Sequence, residues 1–302
     1  MNKKENRQTI LSQIQEKYDK LSKSHKKIAD YIVEHYESIP DLSATQIARA
    51  VHVSEATVIR FAVTFGFEGY PEFRKRLKDE IKNRLTTVER IEMVMENDGH
   101  TELPDRVVQM ILKSDIRSMK ETMRAYDEAT FQKTVDLICG ARKVIILGFR
   151  STSLLTEHLG YYMNLLLDNV RVVNHGVTDF YEHLIRINQE DVVLAISFPR
   201  YSQKTRDVLS FLKKRGPKII TITDNEMAPI NQFADYKLIA KSNVYSFVDS
   251  LVAPLSLINA LLVAIGYKNI KDTKMTFNEL EEIWKKNDVY TGNELDGLEE
   301  NE

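Results

Sequence analysis

Hydroxyl and cationic side chains directly follow two short apolar runs in the second half of the chain. The run VIILG at 144–148 is followed by RSTS at 150–153, and the run DVVLAIS at 191–197 by FPRYSQKT at 198–205. Both polar segments lead into stretches with helical periodicity. In an open α/β sheet, ligands bind where strands end, and serine or threonine hydroxyls beside a helix N-terminus bind phosphate. The sequence therefore predicts an anion-binding site built from these two loops.

A second candidate site lies at 42–70, LSATQIARAVHVSEATVIRFAVTFGFEGY. Ser43 or Ala44 opens a first short helix, residues 52–53 form the turn, and Ser54 is placed to cap a second helix. The second helix has an apolar stripe at 58, 61, 62 and 65, which leaves Thr57 and Arg60 on the outward face. Such a helix suits the major groove of DNA. The predicted DNA-binding residues are Ser43, Gln46, Ser54, Glu55, Thr57 and Arg60.

Further helices are predicted on both sides of this pair, forming a helical domain over residues 1–85. Residues 1–20 carry a weak apolar stripe, which packs either on its own domain or on a partner subunit. Ser22 or Ser24 caps the next helix, and Pro71 opens a later one. In the first helix of the central pair, we expect Ile47, Ala50 and Val51 to face inward.

The remainder of the chain alternates apolar runs with helical segments. Strands are predicted at 144–148, 170–173, 191–197, 218–223 and 236–240. A long helical stretch is predicted from residue 103, and further helices are predicted at 129–138, 153–167, 202–214 and 247–265. This alternation is typical of a doubly wound parallel sheet. We place an interdomain linker at 86–104, the α/β domain at 105–290 and an acidic tail at 291–302.

Composition limits the class of protein. The 302 residues have a net charge of −2, but residues 1–85 hold sixteen Lys and Arg against twelve Asp and Glu. The single cysteine, Cys139, excludes an intramolecular disulfide and a zinc site built from cysteines. We expect no signal peptide, and the longest apolar run, at 251–266, is too short to span a bilayer. We therefore expect a cytoplasmic protein without membrane contact, cofactor or metal.

Two known families resemble these segments. From residue 21 the chain is similar to the N-terminal domain of the RpiR/MurR family of bacterial transcriptional regulators, most specifically in IADYI, VSEATVIRF and GFEGYPEF. Residues 131–267 resemble the sugar isomerase (SIS) domain, a phosphosugar-binding fold that forms the C-terminal half of that family. The matching parts are VIILG with its loop, the AIS strand end, and ITIT-D with PINQFADYKL. The resemblance implies a helix-turn-helix DNA reader joined to a sugar-phosphate sensor.

The resemblance also assigns residues to the sensor. By position, the family's phosphate-binding hydroxyls match Ser151 or Thr152, Ser197, Ser202 and Thr205. Arg150 stands where many members have a second glycine, and a longer SFPRYS turn containing Arg200 replaces the usual Ser-x-Ser-Gly. These two arginines either bind a second anionic group of the ligand or tie the loops to acidic side chains. The predicted ligand-binding residues are Arg150, Ser151, Thr152, Ser197, Arg200, Ser202 and Thr205.

An enzymatic alternative arises because SIS domains also serve in aldose-ketose isomerases, which need a histidine and a carboxylate. The candidates are Glu157, His158, Glu182 and His183. Neighbours on a helix point about 100° apart, so neither Glu-His pair converges on one substrate. We therefore expect no catalytic residue and no enzyme.

We interpret the chain as a regulator whose affinity for a double-stranded DNA operator is controlled by a phosphorylated sugar. Helix-turn-helix readers usually act as dimers on two half-sites. We accordingly expect a homodimer or homotetramer, assembled through the apolar helices at 103–138 and 247–265 together with the N-terminal helices.

Overall fold

The computed structural model describes residues 10–36, 38–84, 86–98, 106–174, 180–245 and 247–290. The chain divides into two compact units, Met1–Thr101 and Glu102–Glu302. The predicted acidic tail at 291–302 lies outside the described residues. The described helices of the first unit are α1 (Ile10–Lys17), α2 (Lys23–Glu34), α3 (Ala44–Ala50), α4 (Glu55–Thr64), α5 (Tyr70–Arg84) and α6 (Thr87–Asp98).

Serine side chains begin three of these helices. The hydroxyl of Ser22 accepts the backbone N–H of residue 25, and Ser43 and Ser54 accept those of residues 46 and 57. Of the two caps considered for α2, Ser22 is the one used. His52, with φ of 54°, makes the tight turn between α3 and α4, and Gly66, with φ of 88°, follows α4. The predicted helix-turn-helix is confirmed.

The first unit has one apolar core. The predicted stripe of α4, at positions 58, 61, 62 and 65, is buried in it. Ile10 and Ile14 of α1 are buried in the same core, so α1 packs on its own unit. The prediction for Ala50 is wrong, because Ala50 is exposed and Ala48 is buried in its place. The inward stripe of α3 is centred between Ile47 and Ala48, which turns Ala50 toward solvent.

Tyr70, the first residue of α5, is hydrogen-bonded to the segment that precedes α3. Its hydroxyl donates to the carbonyl oxygen of Leu42 at 2.8 Å and lies 3.4 Å from that of Ile39. Burial raises the pKa of Tyr70 to about 12, so the phenol keeps its proton and remains a donor. The start of α5 is thus fixed to the segment that enters α3.

Helix α6 occupies most of the segment that we predicted to be a linker, 86–104. Thr86 and Glu89 form a reciprocal cap, in which the Thr86 hydroxyl accepts the Glu89 N–H and the Glu89 carboxylate accepts the Thr86 N–H. The Thr-x-x-Glu spacing was therefore a helix signal inside the predicted linker. The division between the two units, at 101–102, falls in the same segment, and residues 99–105 are outside the described part of the chain.

The second unit is an α/β fold. Its described helices are α7 (Val107–Ala125), α8 (Glu128–Cys139), α9 (Ser153–Leu166), α10 (Phe180–Leu184), α11 (Gln203–Lys213), α12 (Val252–Lys268) and α13 (Ile270–Lys286). Its strands are β1 (Val144–Leu147), β2 (Val170–Val173), β3 (Val192–Ile196), β4 (Lys218–Thr223), β5 (Tyr236–Ile239), β6 (Val244–Tyr245) and β7 (Val248–Asp249). The first five strands pair in parallel in the order β2-β1-β3-β4-β5, and β6 and β7 form an antiparallel pair.

Helices cover both faces of the parallel sheet. Val144 and Ile146 of β1 pack into a cluster that includes α8, α9 and α12, whereas Ile145 and Leu147 pack into a second cluster that includes α11. This alternation confirms the predicted doubly wound sheet. The helix predicted at 247–265 begins only at Val252, because residues 244–249 form the β6–β7 pair. Helices α10 and α13 were not predicted.

No single described helix is long and apolar enough to cross a bilayer. The consecutive helices α12 and α13 meet that criterion only when taken together, and they are bent by 101° at their junction. Seven of the seventeen residues of α12 are buried, including Ile258, Leu261 and Ile265 of the core.

Replacing Phe61 with alanine should unfold the first unit selectively, since Phe61 is fully buried and contacts Phe65 and Phe73. We expect a loss of about 3 to 5 kcal/mol in the free energy of unfolding of that unit. The only tryptophan, Trp284, lies in α13 of the second unit. Denaturant unfolding should therefore show an earlier transition by circular dichroism and an unchanged one by tryptophan fluorescence. Val63→Ala, on the exposed face of α4, is the control and should shift neither.

Candidate functional site

The outward face of α4 carries Thr57 and Arg60, as predicted. The Thr57 hydroxyl lies 2.8 Å from the Ser54 hydroxyl and accepts a hydrogen bond from Nη2 of Arg60 at 3.3 Å. Arg60 is exposed and Thr57 is half-buried. Thr57 therefore orients the guanidinium of Arg60, which can donate to a base edge or a phosphate.

The other predicted DNA-binding residues hold the helix pair together. Ser43 and Gln46 form a capping box, in which the Gln46 side chain accepts the Ser43 N–H at 2.7 Å. The Glu55 carboxylate accepts the hydroxyl proton of Thr45 at 2.7 Å, joining the start of α4 to α3. Five of the six predicted residues thus lie in the N-terminal halves of α3 and α4 or directly before them, and Arg60 lies just past the middle of α4. Four of the six already serve the local structure.

His25 was not predicted and lies against the reader helix. Its ring contacts that of Phe61 edge to face, with 5.6 Å between centroids. Burial and then the neighbouring Arg60 charge hold the pKa of His25 below its ordinary value. A histidine in the first turn of α2 gives no sequence signal of this contact, which depends on how α2 packs on α4.

In the second unit, the loops after β1 and β3 lie side by side. Leu147 pairs with Ala195 in the parallel ladder, and the Thr152 hydroxyl reaches the carbonyl oxygens of Phe149 at 2.8 Å and Ile196 at 3.3 Å. A Cβ atom at Gly148 would lie 2.7 Å from Cγ2 of Thr156 and 3.2 Å from the Ile196 carbonyl oxygen. Glycine is therefore required for this close approach.

These two loops diverge onto opposite faces of the sheet. From β1 the chain enters α9 and continues to β2, whereas from β3 it enters α11 and continues to β4. The strand order reverses between β1 and β3, which creates a crevice at their carboxyl ends. Ligands of open α/β sheets bind in such a crevice.

The predicted hydroxyls differ in their hydrogen bonding. The proton of Thr152 is already donated to backbone oxygens, so Thr152 has none left for a ligand, whereas the neighbouring Ser151 is exposed. Ser197 is buried, and its hydroxyl bonds to no residue that the structure describes. Ser202 caps α11 by accepting the N–H of Thr205, which leaves its hydroxyl proton free to donate.

Thr205 has the least satisfied of these hydroxyls. It is completely buried in the first turn of α11, and its Oγ1 has no hydrogen-bond partner among the described residues. A buried hydroxyl without a partner costs about 1 to 3 kcal/mol. The N-terminus of α11 therefore combines free backbone N–H groups with an unpartnered donor, which are the features of an anion site.

Cationic residues occur in both loops and in the first turn of α11. Arg150 and Arg200 both adopt left-handed backbone conformations, with φ of 62° and 60°, one on each loop. The first turn of α11 contains no acidic residue but does contain Lys204, where the helix dipole disfavours a cation. Nζ of Lys204 lies 4.6 Å from the ring centroids of both Phe149 and Phe180. Lys204 was not predicted, although it lies inside the SFPRYSQKT segment, because its contact with Phe180 is long-range.

A carboxylate at the end of β4 fixes the β3 loop. Asp224 accepts hydrogen bonds from Tyr201 at 2.7 Å and from Thr223 at 3.2 Å, and its backbone oxygen accepts Nζ of Lys241 at 2.8 Å. Asn225 donates to the Tyr201 oxygen. The position of Tyr201, next to Arg200 and Ser202, is thereby held by the neighbouring strand.

The four residues considered for isomerase chemistry do not bond to one another. His158 is bonded to Asn259 of α12 at 2.8 Å, and Nη2 of Arg171 is bonded to His183. Glu157 accepts the side-chain amide of Asn174 at 3.3 Å. Within the described residues, neither histidine has a carboxylate partner from this group, so no acid-base pair is assembled.

Two matches to domain families cover most of the chain. Residues 8–84 match the helix-turn-helix domain of the rpiR family, and residues 137–264 match the SIS domain. The chain therefore joins a helix-turn-helix domain of the rpiR family to a SIS domain. Its relatives include helix-turn-helix transcriptional regulators, and the resemblance drawn from the sequence is confirmed.

Individual relatives are distant but span most of the chain. An uncharacterised helix-turn-helix regulator of Haemophilus influenzae is 27% identical over 234 residues, covering 76% of this chain and 79% of the relative. The regulator HexR of Pseudomonas aeruginosa is 23% identical, covering 90% of this chain and 94% of HexR. Both are named as transcriptional regulators.

Solved structures agree with the fold. The sugar isomerase domain of an RpiR transcription factor from Sphaerobacter thermophilus is 22% identical, with a TM-score of 0.56, and covers 59% of this chain and 99% of that domain. The Vibrio vulnificus NanR protein, solved with ManNAc-6P, is 19% identical, with a TM-score of 0.55, and covers 93% of this chain and 99% of NanR.

The unpartnered hydroxyl of Thr205 makes a testable prediction about the free protein. Thr205→Val removes the buried hydroxyl while keeping the branched shape, so it should stabilise the second unit by about 1 to 2 kcal/mol. Thr156→Val is the matched control, because Thr156 is equally buried but donates to the Ser153 carbonyl at 2.8 Å. That change should destabilise the unit by about 1 kcal/mol. Denaturant unfolding followed by Trp284 fluorescence measures both, and a less stable Thr205→Val protein would contradict the assignment.

Proposed function

We propose that this protein is a transcriptional regulator that binds an operator through its first unit and a phosphorylated sugar through its second. The observation that carries the proposal is the joining of a helix-turn-helix, with Arg60 on its open face, to a SIS fold with an unsatisfied anion site at the start of α11. The NanR neighbour, which was solved with ManNAc-6P, supports a sugar phosphate as the ligand class. Chromosomal DNA as the partner implies a cytoplasmic protein.

In this proposal, the phosphate lies on the N-terminus of α11. Ser197, Ser202 and Thr205 donate to its oxygens, and Ser151 donates from the other loop. A charge-assisted hydrogen bond of this kind contributes about 1.5 to 3 kcal/mol. The cations Arg150, Arg200 and Lys204 balance the anion. A bound phosphate also offsets the cost of placing Lys204 at a helix N-terminus.

A ligand can control operator binding only if it binds two conformations of the protein with different affinities. A ligand changes DNA affinity only through the difference in its own affinity for those conformations. The crevice lies between two loops held by different helices, so closing it on an anion would move α9 relative to α11. We propose that this movement alters the DNA affinity of the first unit.

An isomerase is the weaker candidate. Ring opening and proton transfer need a histidine and a carboxylate that converge on the sugar. His158 and His183 bond instead to Asn259 and Arg171. The regulator names of the relatives also favour a binding protein over an enzyme. We propose that the protein is not an enzyme.

The two activities should separate in a crossed experiment. Arg60→Ala should weaken binding to a DNA duplex that the protein selects from a randomised pool by about 1 to 3 kcal/mol, without changing sugar-phosphate binding. Ser197→Ala should do the reverse, with a loss of about 1.5 to 3 kcal/mol in ligand affinity. Hexose and N-acetylhexosamine 6-phosphates serve as ligands, each beside its unphosphorylated sugar. Calorimetric titration measures ligand affinity, and a gel shift with and without ligand measures DNA affinity.

The controls decide between the two candidate functions. Turnover of any sugar phosphate to its isomer would contradict the binding proposal. Equal binding of phosphorylated and unphosphorylated sugars would place the phosphate site elsewhere. Because the hydroxyl of Ser197 makes no hydrogen bond with a described residue, replacing Ser197 with alanine should leave the melting temperature unchanged.

We also propose that the protein forms a homodimer through α7. This helix turns its polar side inward, where Asp115 accepts a hydrogen bond from Ser250 at 2.6 Å and Thr122 accepts the N–H of Lys241 at 2.8 Å. Its apolar side is exposed. Its exposed apolar stripe consists of Val108, Leu112, Ile116, Met119 and Met123, with exposed fractions between 43% and 74%, and Ile111 beside it is also exposed.

The spacing of these residues favours a partner helix. Their steps of four, four, three and four residues keep them on one stripe, which suits helix-helix packing. Beside the stripe, a cleft of about 590 Å³ between α7 and α12 is lined by Met119, Met123 and Leu257, among other residues. Exposed apolar patches of this extent mark interfaces. A dimer also suits a helix-turn-helix reader, which uses two half-sites.

A charge placed on the stripe should separate the subunits. Ile116→Lys should reduce the mass measured by light scattering at micromolar concentration from dimer to monomer, because a buried lysine without a partner is costly. Arg117→Glu is the control, since Arg117 is exposed on the same helix outside the stripe. A parent protein that is monomeric under these conditions, or an Ile116→Lys protein that stays dimeric, would refute this interface.

A further inference from the structure

The reader helix α4 exposes two large apolar side chains that the described residues of its own unit leave largely open to solvent. Ile59 is 40% exposed and Val63 is 52% exposed, and they lie one turn apart. A parallel strip contains Arg60 and Thr64, also one turn apart and exposed. The outward face of α4 is therefore half apolar and half hydrogen-bonding, with Ala56 at its N-terminal end.

A protein partner does not suit this face. Two side chains on one helical turn offer far less than the roughly 800 Å² that each partner buries in a stable interface. The face also includes Arg60, whose guanidinium a protein interface would have to pair. The first 85 residues carry an excess of four positive charges, sixteen against twelve, which favours a polyanionic partner.

The major groove of DNA presents the matching pattern. Thymine offers a C5-methyl group beside the acceptor and donor atoms of neighbouring bases, and it is the apolar group exposed on the base edges there. Residues four apart on a helix are separated by about 6 Å, close to two base-pair steps of about 3.4 Å. Ile59 and Val63 could therefore contact two bases that are two steps apart.

We propose that Ile59 and Val63 determine operator sequence by packing against thymine methyl groups, while Arg60 reads or anchors the adjacent positions. This inference rests on the proposed DNA-binding function and specifies the chemistry of its partner. The side chains gain apolar contact only where a thymine is present. The operator half-site accordingly contains two required thymines, which lie about two base pairs apart if α4 runs along the groove.

The test removes only the methyl groups. The full-length protein selects duplexes from a randomised pool, and each thymine of the selected sequence is then replaced in turn by deoxyuridine, which differs by the C5-methyl alone. At two positions we expect affinity to fall about three- to fourfold, as burial of one methyl group contributes about 0.8 kcal/mol. Val63→Ala should abolish the effect of uracil at one of these positions and Ile59→Ala at the other.

Val33→Ala is the matched control, because Val33 is 53% exposed but lies on α2 of the same unit. That variant should keep both uracil effects. Uracil replacement without effect at every position, or uracil effects that persist in both alanine variants, would overturn the inference while leaving DNA binding intact. Failure to select any duplex would instead overturn the proposed function. A change in molecular mass in Val63→Ala would show a second copy of the chain as the occupant and also overturn the inference.

Discussion

The close parallel pairing of β1 and β3 is the constraint on which the second unit depends. The crossovers that leave these strands run to opposite faces of the sheet, so the two loops that follow must separate at its carboxyl edge. Gly148 permits this arrangement, because any side chain there would meet Thr156 and the Ile196 carbonyl. The hydroxyls and cations of both loops consequently belong to adjacent loops at one edge of the sheet, although they are separated by about fifty residues in the sequence.

Features that depend on neighbouring residues in the sequence were predicted, whereas features that depend on contacts between distant elements were not. All five strands of the parallel sheet were predicted, because strands buried on both faces read as continuous apolar runs. The serine caps were predicted from spacing within one turn, but the role of Thr152 was not, since its acceptor belongs to Ile196 on another strand. Lys204 was missed for the same reason. Helix α6 was missed because its capping signal was outweighed by weak apolar periodicity.

The proposed anion site contains several energetically unfavourable features in the free protein. Thr205 has an unpaired buried hydroxyl, two arginines hold left-handed backbones that cost a non-glycine residue about 1 kcal/mol each, and Lys204 lies at the wrong end of a helix dipole. The lysine is partly compensated by the faces of Phe149 and Phe180. These costs are features that a bound anion would relieve. Local departures from optimal structure concentrate at functional sites for this reason.

Helix α7 turns its polar side inward and exposes its apolar side, the reverse of the usual amphipathic helix. This arrangement relates the proposed assembly to the proposed DNA binding. Its polar side is tied to the segment 241–250 through Ser250 and Lys241, so the helix cannot rotate its apolar stripe inward without breaking those hydrogen bonds. The stripe must therefore be covered from outside or remain in water. The proposed symmetric dimer would cover it and would also supply two reader helices, of which the second would bind its half-site at a high effective concentration. Residues that never contact DNA would thus contribute to operator affinity through assembly.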